Sequence, residues 1–341
     1  MSTPVAASTS GPESRIRTSL PTLVEHVAGE YGAGQYGIVG ERTWSVLATG
    51  YEDCNVEVRA RTFGVVVKVF AVDRPRWVAE RTADLITRVR AAGVRHPRLH
   101  PDAAGRLVHE YDGHQLVVMD IAPGRTFYDL GRPPGEAELA AVVEQAVRIH
   151  SVDARPRPVF DPWAIANLMP LARQVSGSLS DEQRRLVGRV IAEMAGIDWG
   201  SLPQALVHAD LTAGNVLLGP DGSITVLDFA LANRWPRLQE IAVIAASLLH
   251  GSAAPLPDRM ERVAALYSEA LYSEALQRAS SPKPLTDAEM DVLHVFGRAA
   301  AAMELLGGLN QWQLGNRGAE TGSLIEIGTA GLREYDGQPH G

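Results

Sequence analysis

Two carboxylates and an amide crowd around one tight turn in HADLTAGNVLLGPDGSITVLDFA, residues 208–230. Asn215 follows Asp210 by five residues, and Asp228 follows Asn215 by thirteen. Between Asn215 and Asp228 lie two short apolar runs around GPDG, a tight-turn composition. The pattern predicts a hairpin whose ends bring Asn215 and Asp228 to one point. Carboxylates held this close repel unless something positive sits among them. One carboxylate and one amide carbonyl suit Mg2+, whose shell is completed by phosphate oxygens and water. Asp210, one step away, is placed to accept or orient a hydroxyl proton.

The rest of the chain splits by pattern. Residues 44–50, 55–61 and 64–71 are Val-rich and partly alternating, and read as strands. Residues 76–93 carry apolar side chains at near-helical spacing up to Gly93. Asp112-Gly113 between RLVHEY and HQLVVMDI predicts a second hairpin. After a break at APGR (122–125) the chain reads as almost all helix, including 135–151 and a Ser-capped segment at 180–196. The one later interruption is the hairpin after Asn215, and helices resume from Arg237 to about Tyr335. The expected layout is a tail at 1–18 without fixed structure, a β-rich lobe at 19–121 and a helical lobe at 122–336.

Composition narrows the function classes. The chain has 341 residues, 45% hydrophobic and 21% charged, as in globular proteins. A net charge of −8 argues against a nucleic-acid or anionic-membrane binder. A single cysteine, Cys54, excludes an intrachain disulfide and a cysteine zinc site. The longest apolar runs are short of a bilayer span, and the N-terminus has no secretory pattern, so a cytoplasmic protein is expected.

Kinase-type phosphoryl transfer needs, besides the Asp–Asn–Asp set, a strand lysine and a glutamate on the next helix. Lys68 lies in GVVVKVFA, and Glu80 follows twelve residues later. The chain has two lysines, Lys68 and Lys283, against thirty arginines. A compact ammonium suits phosphate in the middle of an apolar strand better than a planar guanidinium.

With these parts together, HADLTAGNVLL…VLDFA resembles the aminoglycoside phosphotransferase family, which includes choline kinases and type II homoserine kinases. The resemblance covers residues 44–332 and implies an α+β, two-lobed protein-kinase-like fold. VVMDIAPGRTF (117–127) resembles the family's hinge, so Met119 and Ile121 are expected at the nucleotide. The resemblance further implies Asp210 as catalytic base, Asn215 and Asp228 as Mg2+ ligands, and Lys68 on the nucleotide phosphates with Glu80 as its partner. Gly50 in TGYEDCN would let backbone approach phosphate. The implied donor is ATP or GTP with Mg2+. Ala209 stands where the family usually has Gly, Thr212 where it often has His, and Ala230 where Gly or an acid follows DF. None of these removes a ligand or the base.

Two other classes are disfavoured. A protein kinase needs a long activation segment, but LQEIAVIAASLL begins about ten residues after Asp228. An inactive scaffold would have no need to keep all four polar residues. The acceptor is expected to be a small hydroxyl-bearing molecule, an aminoglycoside-like or other sugar-containing antibiotic, with homoserine, choline or a sugar as the alternative. From Pro255 to the C-terminus there are twelve acidic and seven basic residues, against thirteen and twelve over residues 20–121. Such an excess attracts cations such as amino sugars, or is simply a solvated helical surface. LNQWQLGN (309–316) is core or acceptor pocket.

Overall fold

The computed structural model describes residues 20–31, 42–47, 53–60, 64–272 and 283–336. The expected tail at 1–18 and Gly50 lie outside them. The chain forms two compact units: Met1–Thr87 with His96–Pro123, and Arg88–Arg95 with Gly124–Gly341.

The first unit begins with an element the strand-dominated reading missed, helix α1 (Leu20–Tyr31). Strands β1 (Arg42–Leu47), β2 (Cys54–Ala60) and β3 (Gly64–Val69) precede helix α2 (Arg76–Ala91). Then come β4 (Leu99–His100), β5 (His109–Tyr111) and β6 (His114–Asp120). The sheet is antiparallel in the order β1-β2-β3-β6-β4, with β5 paired to β6. Asp112 and Gly113, at φ 49° and 77°, form the two-residue turn expected of Asp-Gly. Leu23, Val24, Val27, Ala28 and Tyr31 of α1 cluster with Val56, Val58, Val65, Val67, Leu116 and Val118. The helical period of one set meets the two-residue period of the other, which drives the packing. Strand alternation therefore sends Val66, Lys68, Val117 and Met119 to the opposite face, in the pairings Val66↔Met119 and Lys68↔Val117. Ile121 lies against the bare α-carbon of Gly64.

The second unit runs β7 (Arg125–Thr126), α3 (Phe127–Leu130), α4 (Glu136–His150), α5 (Leu168–Gln174), α6 (Asp181–Ala195) and β8 (Gln204–Val207). It continues β9 (Val216–Leu218), β10 (Ile224–Val226), β11 (Asn233–Pro236), α7 (Leu238–Val243, extended by a π turn to Leu248), α8 (Leu256–Leu271), α9 (Asp287–Gln313) and α10 (Ala319–Asp336). Ser180 caps α6 reciprocally with Gln183, as its sequence suggests.

The predicted hairpin is β9–β10, but it is not the only strand pairing here. β7 adds to β9, and β8 pairs with β11. Strands of two to four residues leave no periodicity to read, and tertiary pairing decides them. Gly124 fixes how β7 meets the hairpin: its φ is 123°, and a Cβ there would lie 2.3 Å from the Leu218 carbonyl oxygen. Helix α9 is long and apolar enough to cross a bilayer by composition, but 72% of that window is buried within the protein. Its apolar length is used in the core.

Candidate active site

In the second unit, the β9–β10 register puts Val216 opposite Val226. The ladder extends one step further, with the Leu227 amide donating to the Asn215 carbonyl at 2.8 Å. Asn215 and Asp228 thus end on adjacent strands at the open end of the hairpin. The Asn215 side-chain amide donates to Asp210 Oδ2 at 2.6 Å and to the Asp210 carbonyl at 3.1 Å. Those bonds use the amide's NH2 and leave Oδ1 as its acceptor. Asp228 has φ 60°, and its Oδ1 accepts the Ala230 amide at 3.1 Å. The left-handed turn ends the strand and swings the carboxylate out of the ladder.

Ala209 also has a positive φ, 71°. That explains the expectation of Gly at this position, since Cβ is unfavourable in this conformation. The strained turn is held by His208, which is fully buried. Its Nε2 donates to the Leu227 carbonyl at 2.7 Å, and its Nδ1 accepts the Asp210 amide at 3.2 Å. This pattern requires a neutral imidazole with the proton on Nε2, and burial holds its pKa below the ordinary value. One imidazole therefore ties the Asp210 loop to the strand leading to Asp228.

Asp210 is held well above the usual carboxylate range. Burial is the largest cause, followed by the Asp228 and Asp161 carboxylates, with a smaller push from Glu304; the Thr212 hydroxyl favours the charged form. Sequence reasoning missed Asp161 and Glu304. Asp161 is buried and accepts the Trp163 amide at 2.8 Å. Trp163 in turn packs on α9, where a Cβ on Gly307 would lie 2.0 Å from the indole ring. Glu304 is raised to about 7 by burial, partly opposed by a hydrogen bond with Ser247. As the one acid in the apolar stretch 299–309, it was the available signal. Glu240 was missed as well: wholly buried on α7, it accepts the His208 amide and lies 3.8 Å from His150 Nε2.

The donor chemistry at the hairpin fits a magnesium ion. Among the described residues no three His, Cys, Asp or Glu side chains group to hold a metal by themselves. A site of one amide oxygen and one carboxylate instead suits Mg2+, which keeps several waters and binds phosphate. The like-charge strain on Asp210 is what a cation would relieve. By contrast, LNQWQLGN is largely occupied: Gln174 donates to Asn310, Gln313 to Ser178 and Asn316 to Gln311.

In the first unit, Lys68 is buried, and its Nζ lies 3.3 Å from Asp53 Oδ2. Glu80, the expected partner, is not there. Its carboxylate is about half exposed and pairs with Arg76 one turn earlier on α2, at 2.7 Å. Met119 and Ile121 lie on the β6 strand and just beyond it, Met119 on the same sheet face as Lys68.

The fold and these clusters define a phosphotransferase architecture. The family described as phosphotransferase enzyme family matches residues 43–275, and the chain belongs to it. A homoserine kinase of Methylobacillus flagellatus is 27% identical over 165 residues, covering 47% of this chain and 49% of that protein. A homoserine kinase of Methylobacillus glycogenes is 25% identical over 206 residues, 58% of this chain and 61% of that one. The chain thus spans about half to three fifths of these relatives. Among solved structures, a spectinomycin phosphotransferase in complex with ADP and spectinomycin aligns with TM-score 0.67 at 12% identity, over 94% of this chain and 99% of that one. An amicoumacin kinase in complex with AMP-PNP and Ca2+ aligns with TM-score 0.66 at 16% identity, over 95% of both. At these identities the structures establish a shared fold.

Proposed function

We propose that the protein is a kinase that moves the γ-phosphoryl group of ATP, or GTP, to a hydroxyl of a small molecule in the cytoplasm. The observation that carries this reading is the hydrogen-bonded Asp210–Asn215 pair beside Asp228 at one hairpin end. Asp210 would accept the acceptor's hydroxyl proton, a task suited to a carboxylate whose proton affinity is raised. Asn215 Oδ1 and Asp228 would hold Mg2+, which when bound neutralises charge on the transferring group. Lys68 would bind the nucleotide phosphates, with Met119 and Ile121 at the base. Residues 19–121 would form the nucleotide lobe, and 122–336 the lobe with the acceptor site.

The acceptor we propose is cationic as well as hydroxylated, an aminoglycoside-like or other sugar-containing antibiotic. Asp161, and Glu304 once pH passes its raised pKa of about 7, add to the negative field around Asp210, which favours an ammonium-bearing acceptor over a sugar phosphate. The partial match to homoserine kinases supports a second reading, an amino-acid acceptor with the same two groups. The test incubates the protein with MgATP or MgGTP and aminoglycosides, other hydroxylated antibiotics, homoserine, choline and neutral sugars. Mass spectrometry then detects the gain of one phosphoryl group. A phosphorylated cationic product is expected, with turnover falling at high salt. A peptide or protein hydroxyl as the best acceptor would overturn the small-molecule reading.

A further inference from the structure

We propose that Asp53, rather than a residue of α2, is the anion that positions Lys68 for nucleotide phosphate; the inference rests on the kinase reading above. The strand register favours the placement. Asn55 of β2 pairs directly with Lys68 of β3. Asp53 lies two residues before Asn55, so it is the diagonal neighbour of Lys68 on the same sheet face, within reach of a long side chain. Its Oδ2 meets Lys68 Nζ at 3.3 Å, with both side chains about 5% exposed.

Asp53 is itself aimed. Its Oδ1 accepts the Ala71 amide at 3.2 Å and faces Arg74 Nε at 3.3 Å. All three donors come from residues 68–74, the end of β3 and the turn that follows it. The carboxylate therefore ties the lysine to the segment that carries it. Glu80 has none of this: 53% of its side chain is exposed, and its charge is engaged with Arg76. An exposed helical pair of that kind contributes little and moves freely. Where a helix glutamate holds the strand lysine, shifting the helix switches the enzyme off. Here the lysine is paired with the residue that leads into β2, so its placement does not need Glu80 of α2.

The experiment uses the scarcity of lysine. With only Lys68 and Lys283 in the chain, 15N-lysine labelling yields two side-chain ammonium signals. The full-length wild type is compared with Asp53→Asn, Asp53→Glu and Glu80→Gln. Asp53→Asn keeps an oxygen for the Ala71 amide and removes only the charge. Wild type and Glu80→Gln should show a slowly exchanging Lys68 ammonium, and Asp53→Asn should lose it. KM for MgATP should rise roughly tenfold or more in Asp53→Asn, as expected when a buried charge loses its partner, with kcat changed less. Asp53→Glu should recover part of that loss. Loss of the Lys68 signal or of MgATP affinity in Glu80→Gln would overturn the proposal, even if Asp53→Asn failed to fold. So would wild-type KM in a folded Asp53→Asn. If the wild type binds no nucleotide, the kinase reading fails, while the ammonium signal still reports the Asp53 pair.

Discussion

Lys68 is buried and Asp210 partly so, and the protein treats their charges in opposite ways. The Lys68 ammonium has a carboxylate at salt-bridge distance, from the residue that leads into the neighbouring strand. The Asp210 carboxyl sits near Asp228, Asp161 and Glu304, and each of these pushes its proton affinity upward. The first cluster is complete as folded. The second gathers carboxyl groups whose mutual repulsion a cation would relieve. On the proposed reading this is a division of labour: the lysine is held in place by a carboxylate, and the hairpin would receive metal and a positively charged acceptor.

The largest effect expected from breaking this contrast is at Asp210. Asp210→Asn should lower kcat by about 10²–10⁴-fold, the usual scale for a lost general base, while nucleotide affinity stays near wild type in a direct binding titration. Next come the proposed ligands. Asp228→Ala should lose more activity than Asn215→Ala, because a charged oxygen is the stronger ligand for a hard cation. Raising Mg2+ or substituting Mn2+ should recover part of the Asn215→Ala loss in a metal-dependence assay.

Smaller effects probe stability. Ala209→Gly removes the Cβ from a left-handed residue and should stabilise the protein by about 1 kcal/mol in a denaturant titration, whereas Ala209→Val should destabilise it more strongly. Glu304 tests what a buried carboxyl does to the pH dependence. Its pKa rises from 4.5 to about 7, so the folded protein keeps a proton that the unfolded chain has released in this window. The stability contributed by this group is therefore lost as pH rises from 4.5 through 7. Glu304→Gln should flatten that slope and raise Tm by roughly 2–4 °C at pH 8 in a thermal scan. A variant with the wild-type slope would show that Glu304 is not the group responsible.

How far the sequence reached follows the same division. The hairpin was legible because its chemistry is local: a tight turn fixes the register, and the register brings Asn215 and Asp228 together. Lys68 was visible as a lone ammonium in a valine strand. Its partner was not: the sequence pointed to Glu80 on the next helix, whereas the β2–β3 register brings Asp53 to the lysine and Glu80 pairs with Arg76. Helix α1 was missed because its five buried residues precede a segment dominated by strand patterns. Asp161 and Glu304 act on Asp210 from residues about fifty to ninety positions away in the chain, a proximity no local pattern encodes. The two-residue strand β7 and the β8–β11 pair are likewise products of tertiary pairing.

On the proposed reading, the carboxyl cluster at the hairpin is a cation site that works with nucleotide. Its most direct test is the affinity for ADP measured calorimetrically with and without Mn2+, in wild type, Asp210→Asn and Asp228→Asn. Mn2+ should strengthen ADP binding in wild type and in Asp210→Asn, and this coupling should be largely lost in Asp228→Asn. Equal coupling in wild type and Asp228→Asn would contradict it.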